Sequence, residues 1–74
     1  MFNNNLRKYR SENNLTQLGL AKLTDISPSD ISSIETGRII PYPGWRRRIA
    51  EALELPEEAV FPGFKEARTG SQTG

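Results

Sequence analysis

The fold is decided by residues 16–37, TQLGLAKLTDISPSDISSIETG. Their pattern predicts two short helices joined by a tight turn. Thr16 is a hydroxyl residue placed to cap the first helix, and Ser27 is placed to cap the second. Pro28 follows at the first helical position, where its missing N–H costs nothing. Gly37 ends the second helix, since glycine enters the left-handed conformation without strain. Each helix therefore carries its own start signal.

The two predicted helices have one apolar and one polar face each. In the first, Leu20, Ala21 and Thr24 form a narrow, small-sided face that lets another helix approach closely. In the second, Ile31 and Ile34 lie together on one side. The opposite side, which we call the hydroxyl stripe, consists of Ser29, Ser32, Ser33 and Thr36. Two capped helices with a short turn between them form a helix-turn-helix.

The order of these residues also carries a family resemblance. The matching residues of the central stretch are Thr16, Gln17, Leu20, Ala21, Ile26, Ser27, Ile31, Ser32, Ile34, Glu35, Gly37 and Arg38. The matching residues outside it are Leu6, Tyr9, Arg10, Pro41, Ile49, Ala50, Ala52 and Leu53. Over residues 4–61, the chain resembles the DNA-binding domain of phage repressor and Cro proteins (the XRE family). The resemblance implies an all-α, compact five-helix fold of lambda repressor type and a transcriptional regulator, with repression as the expected mode of action.

The sequence predicts which residues contact bases. Helix-turn-helix domains lay the second helix in the major groove, so the hydroxyl stripe is the face that meets base edges. We predict that Pro28, Ser29, Ser32 and Ser33 read bases, with proline offering only apolar contact. Asp30 is expected to serve mainly as a capping-box carboxylate. Facing a cytosine amino group, it could instead read a base.

A second group of residues is predicted to hold the phosphate backbone. Gln17 begins the helix that is expected to cross the DNA backbone. The resemblance implies that Gln17 contacts phosphate, because the matching glutamine does so in relatives. Arg38 follows the second helix directly, so its charge should reach the same strand. Thr36 and Arg10 complete the phosphate-binding set. For Arg10 the first expectation is structural, an ion pair with Glu35 that the resemblance supports.

Composition excludes several other classes of protein. Seventy-four residues allow one domain with a small core. The chain has no cysteine and no histidine, which removes disulfides, thiolate metal sites and the commonest general base. We expect no enzyme activity, no cofactor, no metal and no small-molecule substrate. No apolar run approaches a membrane span and no signal peptide opens the chain, so a cytoplasmic protein is expected.

The net charge of +1 conceals a gradient along the chain. Residues 1–48 carry eight Lys and Arg against four Asp and Glu, whereas residues 49–74 carry two against five. A basic face with an acidic far side suits a protein that approaches a polyanion in one orientation.

Three more helices are expected around the central pair. The first, capped by Asn4 or Asn5, should run to about residue 12, and the fourth should run from residue 44 or 45 to residue 53 or 54. Pro56 opens a last short helix. Residues 1–62 then form the DNA-binding domain, and residues 63–74 have too little to bury and predict a flexible C-terminal tail.

Several positions depart from the family pattern. Asn14 and Asp25 stand where glycine is usual. Asn14 is expected in the left-handed conformation, and at Asp25 that conformation would cost about 1 kcal/mol. Residues 38–44 predict an extended connector, because two prolines forbid helix there. Arg46 stands where relatives bury a leucine, and Trp45 is expected to fill that space instead.

Two functions remain open from the sequence. The first is a DNA-binding homodimer on a two-fold symmetric site, with a dimer surface built from Leu55, Val60, Phe61 and Phe64. The alternative is a protein-interaction module, or an antitoxin-like partner, on the same scaffold. The weakly discriminating hydroxyl stripe and an exposed Leu23 favour the alternative. Salt-steep binding to a duplex distinguishes the two.

Overall fold

The computed structural model describes residues 3–63 and contains five α-helices within them. These are α1 (Leu6–Glu12), α2 (Gln17–Thr24), α3 (Pro28–Glu35), α4 (Pro43–Leu53) and α5 (Glu57–Val60). Helix α2 lies at the centre and packs against both α3 and α4, while α1 packs on α3 and α5 on α4. The predicted all-α, five-helix fold is confirmed. In residues 3–63, none of the helices has the length and apolarity needed to cross a bilayer.

The predicted start and stop signals act as expected. The Thr16 hydroxyl oxygen accepts a hydrogen bond from the Gly19 N–H at 2.9 Å, and the Ser27 hydroxyl oxygen accepts one from the Asp30 N–H at 3.1 Å. Each cap satisfies a first-turn N–H that has no partner inside its helix. Gly37 has φ = 79°, which stops α3 in the left-handed conformation.

Within residues 3–63, three residues other than glycine also adopt the left-handed conformation. Asn14, after α1, has φ = 59°, as predicted, and Asp25, in the turn between α2 and α3, has the same value. Glu54 ends α4 where the end of that helix was predicted, but its left-handed conformation, also with φ = 59°, was not predicted. A glutamate has no short polar side chain to favour this conformation, so its residue type carries no signal.

The start of α1 is held by two asparagines with different roles. The Asn4 side-chain oxygen accepts the Leu6 N–H at 2.9 Å, so Asn4 supplies the capping group. Asn5 instead points its side-chain amide at the Ala59 carbonyl, and its own N–H donates to the Val60 carbonyl, both at 2.9 Å. These two bonds join the beginning of α1 to α5.

The core lies between α2, α3 and α4 and is closed by α5. Leu20, Ile31 and Ile34 are fully buried at its centre. Val60 and Phe61 are also 0% exposed and close the core. The prediction that Val60 and Phe61 form a dimer surface is therefore wrong, because neither offers apolar area to a partner. Phe64 lies outside the described residues.

The start of α4 differs from the prediction. The helix begins at Pro43, one residue before the earlier of the two predicted starts, and proline is tolerated at this first position. The extended connector is therefore shorter than expected. Arg46 is itself buried at 6% exposure, so the prediction that Trp45 would take the inner position is wrong. The Arg46 guanidinium donates to the Pro41 carbonyl at 2.9 Å and lies 3.6 Å from a Glu57 carboxylate oxygen.

Candidate nucleic-acid interface

The hydroxyl stripe lies on the outer side of α3. Ile31 and Ile34 anchor the helix from behind, both with 0% exposure. On the outer side Ser29 is exposed, and Ser32 and Ser33 are half-buried. Pro28 is exposed at the tip of the helix. The structure thus brings together the four residues predicted to read bases, on a side that the core leaves open.

Thr36, at the end of the stripe, already uses its hydroxyl hydrogen. This hydroxyl donates to the Ser32 carbonyl at 3.0 Å and to the Ser33 carbonyl at 3.2 Å. A hydroxyl has one hydrogen, so donation to a phosphate would require it to rotate away from the helix. The phosphate contact of Thr36 stays a prediction.

Asp30 contributes its backbone to the cap of α3. Its N–H donates to Ser27, which is one half of the predicted capping box. The carboxylate is half-buried near the positive end of α3, where a negative charge is favourable. This placement agrees with a structural role for Asp30, and its side chain flanks the stripe.

Arg38 is held beside the stripe by the backbone turn that ends α3. The Gly37 N–H donates to the Ile34 carbonyl at 3.0 Å, and the Arg38 N–H donates to the Ser33 carbonyl at 2.9 Å. The Arg38 side chain is exposed. Its charge is therefore able to reach a strand that passes the C-terminal end of α3.

A buried polar network links α1, α2 and α3. The Glu35 side chain is 3% exposed and forms an ion pair with Arg10, whose own side chain is 12% exposed. Arg10 bonds the carboxylate through Nε and through Nη2, the latter at 3.3 Å, while its Nη1 donates to the Leu15 carbonyl at 2.7 Å. The predicted Arg10–Glu35 pair is confirmed. Because the guanidinium is directed inward, the phosphate contact of Arg10 stays a prediction that this geometry does not favour.

Gln17 joins the same network from the first position of α2. Its side-chain Nε2 donates to the Glu35 carboxylate at 3.0 Å. Gln17 as a residue is half-buried. The link between Gln17 and Glu35 was not predicted, because eighteen positions separate them and neither residue type specifies the other.

The basic run 46–48 divides into three environments. Arg46 is buried, as described above, and Arg47 is exposed. Arg48 donates from Nη1 to the Thr24 carbonyl at 3.3 Å and so helps to end α2. Arg47 and Arg48 are thus exposed, whereas Arg46 is not.

Exposed apolar side chains, which the sequence analysis did not place, follow Arg38. Ile40 is 59% exposed and Tyr42 is 67% exposed. The Tyr42 ring packs edge-on against Trp45, with ring centroids 5.2 Å apart. The proline-rich sequence predicts an open connector here, but it gives no sign of which side chains point outward.

Comparisons with known proteins agree with this architecture. A family model described as a helix-turn-helix domain matches residues 3–66. The chain belongs to the helix-turn-helix domain family. It is also 40% identical over 61 residues to the "HTH-type transcriptional repressor RghR" of Bacillus subtilis (strain 168). The matched region covers 81% of this chain but only 45% of that relative. The helix-turn-helix assignment thus rests on most of this chain. The matched region spans less than half the length of that relative.

Proposed function

We propose that this helix-turn-helix domain binds double-stranded DNA in the major groove and represses transcription by occupying an operator. The observation that carries the proposal is the outward hydroxyl stripe on α3, backed by the fully buried Ile31 and Ile34. A short helix with a polar, sterically open outer side is what the groove admits. The name of the relative RghR, a transcriptional repressor, supports the regulatory part.

The chemistry of the stripe determines how such a domain recognises its site. Serine hydroxyls donate or accept, so they discriminate weakly between bases. The stripe contains none of the Arg, Asn or Gln side chains that make bidentate contacts with guanine or adenine. Much of the specificity is therefore assigned to water-mediated contacts and to DNA shape.

Replacing Ser33 by alanine tests the stripe. The variant keeps the Ser33 carbonyl and its bond to Arg38, so the end of α3 is retained. We expect affinity for the selected site to fall about fivefold, since one hydrogen bond contributes about 1 kcal/mol, with little change on random duplex. Selection from a random duplex pool supplies the site, and fluorescence anisotropy supplies both affinities. Ser11→Ala, on the exposed side of α1, is the control. Equal loss on both duplexes would refute the role of the stripe.

Replacing Arg38 by alanine tests the phosphate contact. Because a phosphate contact carries no sequence information, affinity should fall on all duplexes alike. The plot of log affinity against log salt should become less steep by about 0.9 unit, the value for one released counterion. Lys8→Ala removes an equal charge from α1 and serves as the control. If Arg38→Ala leaves the slope of log affinity against log salt unchanged, Arg38 does not contact the phosphate backbone of DNA.

A homodimer on a two-fold symmetric operator completes the proposal. One helix in one groove contacts few base pairs, and pairing two domains raises affinity and specificity together. The selected sequences report this directly, because a dimer yields inverted half-sites about one helical turn apart. Because a repressor must reach its DNA, the proposal includes a cytoplasmic location for the protein.

A second candidate function is binding to a protein through the outer surface of α2. Leu18 is 55% exposed and Leu23 is 61% exposed, so α2 presents two apolar side chains at its surface. Titration of a labelled duplex at two salt concentrations separates the candidates. Strong binding that weakens steeply with salt supports the DNA-binding function, whereas no binding at low salt supports the protein-binding module or antitoxin-like partner.

A further inference from the structure

We propose that Glu35 is a positioning residue for DNA binding, which fixes the direction of the Gln17 amide toward a phosphate. The inference rests on the proposed function. Glu35 is the last residue of α3, and its side chain turns inward and meets Gln17, the first residue of α2. One buried carboxylate thus connects the helix that reads bases with the helix that crosses the backbone.

The chemistry of the contact determines how the Gln17 amide is oriented. A carboxylate only accepts hydrogen bonds, so the nitrogen of the amide, and not its oxygen, must face Glu35. One of the two Nε2 hydrogens is used in this bond, which is 3.0 Å long. The amide group is planar, so the second hydrogen points away from the carboxylate. Gln17 is half-buried, so the core does not fully enclose this residue.

The start of α2 is a favourable place for that hydrogen. First-turn N–H groups have no acceptor within their helix, and together they present a partial positive charge. An N–H donor held beside them adds a directed contact to a phosphate that lies there. A freely rotating glutamine would lose side-chain entropy on making the same contact, so prior fixation by Glu35 strengthens it.

Arg10 makes an acidic positioning residue compatible with DNA. An isolated carboxylate beside a phosphate would repel it. The ion pair with Arg10 offsets that charge. The carboxylate accepts hydrogen bonds from two Arg10 nitrogens and from the Gln17 amide. Arg10 thus acts on DNA binding through Glu35, with its guanidinium directed inward.

A cycle of variants tests this role in the full chain. The double variant Arg10→Met with Glu35→Leu removes the network without leaving an unpaired charge. Gln17→Ala in the natural background should weaken binding to a mixed-sequence duplex about tenfold, because hydrogen bonds to charged groups contribute at least that much. The same substitution in the background of the double variant should change affinity by less than about twofold, since neighbouring groups couple. Arg38→Ala, outside the network, should cost the same in both backgrounds.

Each outcome has one meaning. If Gln17→Ala costs as much without Glu35 as with it, the positioning role is overturned while DNA binding stands. If the natural protein binds no duplex at low salt, the proposed function fails, and the positioning role fails with it. Should the double variant not fold, exchange of the Gln17 side-chain amide hydrogens in the natural protein decides the matter by NMR. One hydrogen protected from exchange supports the role, and two hydrogens exchanging as in an unstructured peptide overturn it.

Discussion

Replacing Glu35 by alanine is expected to lower the free energy of unfolding by about 3–5 kcal/mol. The variant leaves the Arg10 guanidinium largely buried without its carboxylate, and it also leaves the Gln17 amide without its acceptor. A chain of this size has a total stability on the order of 4–11 kcal/mol. The loss is therefore a large fraction of the whole, and much of the protein should be unfolded at moderate temperature.

Urea and thermal unfolding followed by circular dichroism measure this effect. The control is the paired change Arg10→Met with Glu35→Leu, which replaces the ion pair by apolar side chains of similar reach. Such replacements are often neutral or stabilising by about 1–4 kcal/mol. The single change should thus be far more damaging than the double change, although it alters fewer atoms. A loss below about 1 kcal/mol for Glu35→Ala would mean that water reaches Arg10 and that the pair is effectively exposed.

The fold was predictable where one residue type has one local use. Thr16 and Ser27 have hydroxyls that cap helices, and Gly37 tolerates positive φ, so each fixed an element boundary from the sequence. Asn14 and Asp25 were predictable for the related reason that short polar side chains tolerate the left-handed conformation.

The errors occurred where tertiary packing overrides a local preference. An arginine is rarely buried, so burial of Arg46 could not be expected without knowing that the Pro41 carbonyl and Glu57 would surround it. The error at Pro43 is local instead, because a proline that breaks a helix interior is tolerated at the first position of a helix.

The candidate site was predictable in part for the same reasons. Helical periodicity placed Ser29 and Ser33 opposite Ile31 and Ile34, and burial of the two isoleucines agrees with that placement. The Gln17–Glu35 contact was not predictable, because it depends on the distance between two helix ends and not on any repeating pattern. The contacts of these residues with DNA remain predictions.

Replacing Ser29 by glutamate is expected to separate folding from DNA binding. The new carboxylate lies in the first turn of α3, near its positive end, where it should stabilise the helix by about 0.3–1 kcal/mol at low salt. The same charge on the exposed outer side of α3 would face the phosphates that flank the groove. Close like charges cost several kcal/mol, so affinity for any duplex should fall by about 100-fold or more.

Ser29→Gln is the matched control, since glutamine has the same shape as glutamate without its charge. It should keep non-specific binding, and it can gain a preference for adenine because its amide pairs with that base edge. Anisotropy with a labelled duplex and urea unfolding of both variants provide the two measurements. We expect Ser29→Glu to raise the free energy of unfolding and to lower the affinity for DNA. In Ser29→Gln we expect only small changes in both. Equal binding by the two variants would show that the hydroxyl stripe does not face DNA, because a charge inserted between a helix and a polyanion cannot be neutral in effect.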